Sequence, residues 1–388
     1  MKKDLSVYIH IPFCKKKCNY CDFCSITGDK KLQKEYVDAL LNEIKSQAYM
    51  ANDYNVKTVF IGGGTPSILD ENLIEEILFA LSYSFEHVRR GSYVPEEITV
   101  ECNPGTVTYE KLSSYKKAGV NRLSFGLQSA NDDELKLLGR IHTFEEWEES
   151  MRLARKCGFD NINTDIISGI PGQTKKSFAE TISKVMAYEP EHISIYSLII
   201  EEGTPFYDLY NPEQLSYDEL DAWEENDRQI YGYTRQILEK YGYERYEISN
   251  YSRQGYECIH NNVYWTRGDY IGFGVSAASL IDNKRYNHTR DIREYIQNQD
   301  MYMEESLDIY DQMSEYMMLG LRTIKGVSIS DFRDTFHEDI EEVFHGVTDK
   351  WINEGMMVLD GDRLFLTETG LDICNMILVD YLIINKEW

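Results

Sequence analysis

Three cysteines near the start of the chain have the spacing of a metal-cluster site. Cys14, Cys18 and Cys21 form a C-x3-C-x2-C run inside the segment from Tyr8 to Phe23. Clusters of the [4Fe-4S] type are normally held by four thiolates, so a run of three leaves one iron with an exchangeable position. A molecule that ligates this iron can be reduced through the cluster. The triplet therefore predicts redox chemistry that starts at one open iron.

The spacing, with Tyr20 just before the last cysteine, resembles the radical SAM superfamily. The resemblance implies that S-adenosylmethionine (SAM) fills the open position and is cleaved to a 5′-deoxyadenosyl radical, chemistry that the cofactor carries and the protein positions. Three alternatives stay open, one of which is a group of unrelated thiols. A structural zinc site usually shows two Cys or Cys/His pairs, and no second pair follows here. Cys24 is a fourth thiol that could close the cluster.

The first half of the chain alternates short β-rich runs with longer helical patterns, which is typical of a parallel sheet with crossover helices. Six such units predict an α/β fold with a partial (β/α)6 barrel. The predicted strands are Leu5–Ile11, Lys57–Ile61, Glu97–Glu101, Arg122–Gly126, Asn161–Ile166 and His192–Ser197. The predicted helices are Leu32–Met50, Asn72–Ser82, Tyr109–Ala118, Phe144–Cys157 and Lys175–Tyr188.

Unusual residues follow these strands one after another, at the carboxyl ends where α/β sheets bind ligands. The Gly62–Pro66 run allows close approach of backbone to ligand, and Gln128 follows the fourth strand. Glu101 and Asp165 can accept hydrogen bonds from an ammonium or from ribose hydroxyls. Arg140 can clamp a carboxylate. Taken singly, the glycine run would be a plain turn, the two acids would be solvated loop residues and Arg140 would form a surface ion pair. Their regular placement at successive strand ends instead predicts one site.

The pattern changes after residue 197, and we divide the chain into residues 1–200 (the barrel), 201–305 (a barrel extension) and 306–388 (a C-terminal domain). The extension is predicted to hold an irregular stretch from Gly203, a long helix over Tyr217–Lys240 and a strand over Glu244–Ser249. Asp360-Gly361 is a strong hairpin signal. The last part resembles a winged helix, with predicted helices over Ile309–Leu321, Ser328–Thr335 and Glu341–Asn353, a hairpin over Met356–Leu366 and a final helix from Glu368.

Charge and hydropathy restrict the partners. Forty Lys and Arg against 66 Asp and Glu give a formal net charge of -26, which repels phosphate backbones and anionic membranes. We therefore expect no nucleic-acid partner, although winged helices often bind DNA. No apolar stretch is long enough to span a bilayer, and the start lacks a signal-peptide cleavage pattern. Eight cysteines without a disulfide-like framework favour the reducing cytoplasm.

The segment His260-Asn-Asn-Val-Tyr-Trp265 suggests a second cofactor. A histidine flanked by aromatic residues can ligate heme iron while the rings contact the macrocycle. The alternative is a loop histidine that hydrogen-bonds to backbone. Cys258 is a possible second contact, but Cys-x-His is not the C-x-x-C-H pattern of covalent heme attachment.

Together these segments resemble the group of the oxygen-independent coproporphyrinogen III oxidases, and most closely its branch of HemW-type heme chaperones. The resemblance spans nearly the whole chain, with further markers in Ser124–Gln128 and Asp165–Pro171. It implies that the three cysteines hold the cluster and that His260 binds heme. It places around SAM Tyr8, Gly63, Gly64, Thr65, Glu101, Gln128, Arg140 and Asp165, and, less closely matched, Tyr20, Phe23, Ser197 and Ala278.

Two departures separate the chain from the oxidases. Their motif resembles Cys-x3-Cys-x2-Cys-x-Cys, whereas Phe23 stands at the last position here, and only seven residues precede Tyr8 where the oxidases have a substrate-covering segment. We therefore expect a cytoplasmic carrier that binds heme, hands it to acceptor proteins and draws on a cellular electron donor. The alternative is an oxidase that converts coproporphyrinogen propionates to vinyl groups. The number of SAM molecules and whether SAM is cleaved stay open.

Overall fold

The computed structural model describes residues 2–88, 95–211 and 215–382. Residues 383–388, the end of the predicted C-terminal domain, lie outside this part.

Six parallel strands form the centre of the fold, in the order in which they occur along the chain. Their bounds agree with the predicted strands to within three residues at each end. The strands are β1 (Lys3–Ile11), β2 (Tyr54–Gly63), β3 (Glu97–Cys102), β4 (Arg122–Gln128), β5 (Ile162–Ser168) and β6 (His192–Ser197). This is the partial barrel, and it brings the carboxyl ends of all six strands to one mouth.

The crossover helices cover the outside of these strands. Several begin at a side-chain cap that accepts a hydrogen bond from the first turn, as at Asp29, Thr108, Thr143 and Thr174, which satisfies an otherwise unpaired backbone N–H. The short helix α4 was not predicted. The helices are α1 (Lys30–Gln47), α2 (Glu71–Val88), α3 (Tyr109–Lys117), α4 (Asp132–Leu137), α5 (Phe144–Lys156) and α6 (Lys175–Met186).

The extension lengthens the sheet at both edges to twelve strands. The predicted strand over Glu244–Ser249 is wrong, because the chain turns back there and pairs β7 with β8 in antiparallel fashion. The stretch after Gly203 contains a helix that was not predicted, and the heme-motif segment is helical. The elements are α7 (Pro205–Tyr210), α8 (Tyr217–Lys240), β7 (Glu244–Arg245), β8 (Asn250–Ser252), α9 (Ile259–Trp265), β9 (Tyr270–Phe273), β10 (Ala278–Ile281), β11 (Lys284–Asn287), α10 (Ile292–Gln297) and β12 (Tyr302–Ser306).

The C-terminal part has a separate hydrophobic core, formed by residues between Met313 and Tyr381, whereas the barrel and extension share one core from Leu5 to Tyr295. The predicted single helix over Glu341–Asn353 is wrong, because Gly346 adopts a φ of 73° and separates two short helices. The final helix is likewise divided. The elements are α11 (Ile309–Gly320), β13 (Val327–Ser328), α12 (Ile329–Phe336), α13 (Ile340–Val343), α14 (Val347–Asn353), β14 (Met357–Asp360), β15 (Arg363–Leu366), α15 (Glu368–Asp372) and α16 (Cys374–Val379).

Candidate functional site

The cysteine run lies in a loop that leaves the carboxyl end of β1 and is closed at its base by backbone pairing. Cys14 N donates to Ile26 O at 2.9 Å, and Ile26 N donates to Pro12 O at 2.7 Å. Farther along, Asn19 donates its backbone N to Leu138 O and its side-chain amide to Leu137 O, both at 2.9 Å. The loop is therefore tied to β1 at one side and to the end of α4 at the other.

The three thiols are half-buried and form no disulfide bond. Cys14 Sγ lies 3.6 Å from Thr65 Oγ1, and Arg140 Nη1 donates to Cys18 Sγ at 3.6 Å. Burial raises the pKa of Cys14 and of Cys21, so binding of iron has to release their protons. Among the described residues, no group of His, Cys, Asp or Glu side chains converges on a point that would hold a single metal ion.

The cysteines of a [4Fe-4S] cluster bind different irons, so three half-buried thiols that lie in one loop and line one cavity fit such a cluster. The fourth candidate thiol is placed apart: Cys24 Sγ donates to Arg290 O at 3.7 Å and lines a different cavity from the three. The residues present therefore fit a cluster held by Cys14, Cys18 and Cys21.

The glycine run at the end of β2 lies against this loop. Gly64 N donates to Ile11 O at 2.8 Å, and a Cβ at position 64 would lie 2.8 Å from Phe13 O and 3.1 Å from Cys14 Sγ. Gly63 has a φ of 111°, which side chains rarely adopt. Only glycine at these positions lets the two loops approach each other closely enough for β2 to support the cysteine loop.

Asn103, which sequence reasoning missed, connects two of the predicted residues. Its amide donates to Thr65 Oγ1 at 2.7 Å, and its oxygen accepts from Arg140 Nη2, also at 2.7 Å. Arg140 Nη2 donates in addition to Gly126 O at 2.6 Å. The available signal was its place two residues after Glu101 at the end of β3, where alternation directs it to the same face.

Most of the predicted site lines a single cavity of about 410 Å3 at the barrel mouth, which we name the cluster cavity. Thirteen of the sixteen predicted residues line it, and three do not. Its predicted lining residues are Cys14, Cys18, Tyr20, Cys21, Phe23, Gly63, Gly64, Thr65, Glu101, Gln128, Arg140, Asp165 and Ser197.

Two buried carboxyl groups lie on its inner side. Glu101 Oε2 accepts from Gly63 N at 3.1 Å, and burial, reinforced by the nearby Asp165, raises the Glu101 pKa to about 8. Asp165 accepts from Asn163 Nδ2 at 2.7 Å and from Ser124 Oγ at 3.2 Å; burial raises its pKa as well. Both groups can accept from hydroxyl or ammonium donors of a bound molecule.

The predicted residues Tyr8 and Ala278 line a neighbouring cavity of about 470 Å3, the outer chamber. It shares Phe23, Gly63 and Glu101 with the cluster cavity. Its other walls include aromatic rings and one cation, namely His10, Tyr264, Tyr270 and Arg290. The two cavities are therefore adjoining parts of one mouth.

His260 lies deeper, beside a third cavity of about 220 Å3, the inner chamber. Both ring nitrogens are occupied: Nδ1 is 2.8 Å from Thr58 Oγ1, and Nε2 is 2.9 Å from Tyr264 Oη. Burial, together with the positive charge of Arg122, lowers the His260 pKa to about 3. The ring is therefore neutral at physiological pH, the form that binds iron, but one hydrogen bond has to break before a nitrogen can do so.

His260 belongs to a group of inward-facing polar residues at the amino end of the barrel strands, the polar layer, which consists of Glu97, Arg122, Asn163, His192 and His260. Each is at most 2% exposed. His192 Nδ1 lies 2.6 Å from Asn163 Oδ1. Glu97 Oε1 accepts from His260 N at 3.1 Å and from Cys258 Sγ at 3.4 Å, so Cys258 is buried against Glu97 and lines none of the three cavities.

Within residues 2–88, 95–211 and 215–382, every helix is too short or too polar to span a lipid bilayer.

Comparison with known proteins identifies relatives over the whole chain. The family described as the Radical SAM superfamily matches residues 8–185, and the HemN C-terminal domain matches residues 307–373. The heme chaperone HemW of Bacillus subtilis (strain 168) is 34% identical, covering 94% of this chain and 96% of its own. The heme chaperone HemW of Escherichia coli (strain K12) is also 34% identical, covering 96% and 97%.

A solved structure supports the fold independently. The coproporphyrinogen III oxidase HemN from Escherichia coli, a radical SAM enzyme, aligns with a TM-score of 0.83 over 98% of this chain and 91% of that chain. The two sequences are 22% identical, and at this level the likeness bears on the fold alone.

Proposed function

Because the chain belongs to the family of HemW heme chaperones, we propose that it is a cytoplasmic carrier that binds a [4Fe-4S] cluster, SAM and heme and delivers the heme to acceptor proteins. The observation that carries the proposal is that Glu101 lines all three cavities. This shared wall supports a single site for the thiols, the predicted SAM residues and His260.

The residues at the barrel mouth have separate tasks in this proposal. Cys14, Cys18 and Cys21 hold the cluster, which supplies an open iron position and an electron when it is bound. Arg140, fixed by Asn103 and near Cys18, orients the SAM carboxylate. A cellular electron donor has to provide the electron.

The remaining predicted residues surround the rest of the SAM molecule. The backbone of the glycine run faces the amino-acid part, and the inner carboxyl groups accept from its hydroxyl donors. Side chains lining the cluster cavity cover the nucleoside. The residues concerned are Tyr8, Tyr20, Phe23, Gly63, Gly64, Thr65, Glu101, Gln128, Asp165, Ser197 and Ala278.

Heme is assigned to the outer and inner chambers, with His260 as iron ligand. Tyr264 lines both chambers, whereas Thr58 lines neither, so Nε2 is the nitrogen on the cavity side. Ligation requires the Tyr264 hydroxyl to move away from Nε2. Loading of heme is therefore coupled to a local rearrangement of α9.

An anaerobic absorbance titration of heme into the cluster-loaded protein tests the proposal, with His260→Ala and, as matched control, His345→Ala on the exposed surface of the C-terminal domain. We expect saturable one-to-one binding in the wild type and in His345→Ala, and at least tenfold weaker binding in His260→Ala. Equal heme affinity in the wild type and in His260→Ala would show that heme does not bind at α9. No heme binding, with SAM consumed in proportion to vinyl groups formed from coproporphyrinogen III, would establish the oxidase instead.

A further inference from the structure

The inner chamber contains a buried cation that forms no close ion pair with a carboxylate of the described residues. Arg122 is 2% exposed and lines this chamber. Its Nε is buried without a hydrogen-bond partner, and no carboxylate of the described residues forms an ion pair with its guanidinium within 4.0 Å. A buried charge without a partner is costly, so a group of this kind calls for an explanation outside the protein itself.

The nearby carboxylates are engaged elsewhere. Glu97 accepts from the thiol of Cys258 and from the backbone N–H groups of Ile259 and His260, at 3.4, 3.1 and 3.1 Å. Asp165 accepts from its neighbours on β4 and β5, as described above. Both carboxylates also act on the charge of Arg122 from a longer distance, but neither forms a close ion pair with it, so the guanidinium can still face an anion in the chamber.

The strand pattern shows that Arg122 is directed into the barrel. Side chains of a strand alternate between its two faces, and Ser124, Gly126 and Gln128 of β4 line the cavities together with Arg122. The same stripe of β4 therefore runs from the inner chamber to the cluster cavity. Ser124, which lines both cavities, is the residue of this stripe that follows Arg122 toward the mouth.

We propose that the inner chamber binds a carboxylate arm of the bound porphyrin, with the Arg122 guanidinium as its counter-ion. The inference rests on the proposed function and names the part of the ligand that this chamber recognises. About 220 Å3 is below the range of pockets that enclose a whole small molecule, roughly 300 to 1,000 Å3, but it has room for a propionate. The macrocycle lies mainly in the outer chamber, which shares Tyr8 and Tyr264 with the inner one, with its iron at the boundary where Tyr264 meets His260.

The hydroxyl groups of the chamber are already engaged. Ser124 Oγ donates to Asp165 and Ser194 Oγ donates to Asn163 Oδ1, so the Arg122 guanidinium is the group that faces a carboxylate here. Glu101 and Asp165 also line it, but both face the cluster cavity as well, where SAM donors would engage them. A carboxylate could also come from the amino-acid part of a SAM molecule, and the experiment separates the two sources.

The test compares heme with its dimethyl ester, in which both propionates are neutral, on the cluster-loaded protein. The variants are Arg122→Gln, Arg122→Lys and Arg290→Gln, the last removing the exposed cation of the outer chamber. A charge-assisted hydrogen bond corresponds to a factor of about ten to a hundred. We expect the wild type to prefer heme over the ester by this factor, Arg122→Gln to lose the preference, and Arg122→Lys to restore part of it. Arg290→Gln changes a residue of the heme chamber itself, so its affinity for heme and for the ester can both change, but it should keep the preference between them.

Each other outcome overturns the inference. Equal affinity of the wild type for heme and ester does so even if Arg122→Gln fails to fold, and so does a preference that is lost in Arg290→Gln instead. In parallel, equilibrium dialysis counts radiolabelled SAM per cluster. Fewer SAM molecules in Arg122→Gln, with the heme preference unchanged, would assign the chamber to the SAM carboxylate. No heme binding by the wild type would overturn the proposed function and this inference with it, whereas heme binding without ester discrimination overturns the inference alone.

Discussion

The two ends of the barrel interior differ in how firmly their polar groups are already bound to one another. At the mouth, half-buried thiols and a glycine backbone surround a cavity of about 410 Å3, and the contacts of the thiols with Thr65 and Arg140 are long, both 3.6 Å. In the polar layer, His260 has both nitrogens hydrogen-bonded and Glu97 accepts three donors. The mouth has room for added groups, whereas the polar groups of the polar layer already have hydrogen-bond partners, except at Arg122, where Nε has none.

This difference has consequences for the order of events. A cluster and SAM can enter the mouth by displacing only the long contacts of the thiols and part of the bonding of Arg140, since thiols and backbone groups face an open volume. Iron ligation by His260 first costs a hydrogen bond, which is worth about 1 kcal/mol. We expect the cofactors of the mouth to bind without rearrangement and heme to bind with one.

The largest expected effect is loss of the cluster. Replacing Cys14, Cys18 or Cys21 by alanine removes a ligand that the protein does not replace, so iron content and cluster absorbance after anaerobic reconstitution should fall to background. Cys24→Ala is the matched control and should keep the cluster, because its thiol faces the outer chamber. Loss of the cluster in Cys24→Ala would mean that this thiol closes the fourth position, and the mouth would then not be open to SAM.

The pH dependence of SAM binding should report on the inner side of the mouth. With a pKa near 8, the Glu101 carboxyl is protonated at lower pH and cannot accept from SAM donors with both oxygens. Affinity should therefore rise with pH up to about 8, by at most about tenfold per unit, and then level off. Asp165 and Arg122, which act on the Glu101 pKa in opposite directions, stay unchanged in the test.

Equilibrium dialysis of labelled SAM with Glu101→Gln isolates this contribution from the protonation of SAM itself. The variant should bind SAM more weakly and lose the part of the slope that belongs to Glu101, while the exposed Glu149→Gln on α5 should behave as the wild type. Identical slopes in all three proteins would contradict the assignment of Glu101 to the SAM site.

The close approach of β2 to the cysteine loop should show in stability. In Gly64→Ala the added Cβ meets Phe13 O and Cys14 Sγ, and overpacking of this kind costs about 1 to 3 kcal/mol. Urea unfolding of the metal-free protein measures this loss, and iron retention should fall with it. Gly232→Ala is the control, because Gly232 lies in α8 with nothing within 4 Å of its Cβ, and it should stabilise the protein by about 0.5 to 1 kcal/mol. Equal stability of the two variants would show that the cysteine loop moves away from the added Cβ without cost.

The mouth was accessible to sequence reasoning because its signals are local. A strand followed by a loop of special residues recurs five times, and parallel strands bring such loops together whatever their register. The strand bounds could be predicted from the apolar runs, because these runs are local signals too. Gly346, by contrast, interrupts a pattern that otherwise continues as a helix, and a glycine near the middle of a helical pattern does not reveal its positive φ.

The polar layer was not accessible in this way. Arg122, Asn163 and His192 alternate with apolar residues along their strands, and such alternation normally indicates a solvent-exposed face. That this face lies inside the barrel depends on the register across strands, as in the pairing of Asn163 with His192. His260 joins the layer from α9, nearly a hundred residues farther along the chain than Asn163, and no local pattern predicts that contact.

The smallest effect tests the contrast between the two ends most directly. If heme loading costs the bond between His260 Nε2 and the Tyr264 hydroxyl, Tyr264→Phe removes that cost, and heme should bind about fivefold more tightly and faster in an absorbance titration. Tyr270→Phe is the control, since this ring packs on Tyr264 at 4.8 Å and lines the outer chamber without contacting His260 through a hydrogen bond. Weaker binding in Tyr264→Phe alone would mean that the Tyr264 hydroxyl contacts the heme itself. Heme binding would then not require the hydrogen bond between Tyr264 and His260 to break.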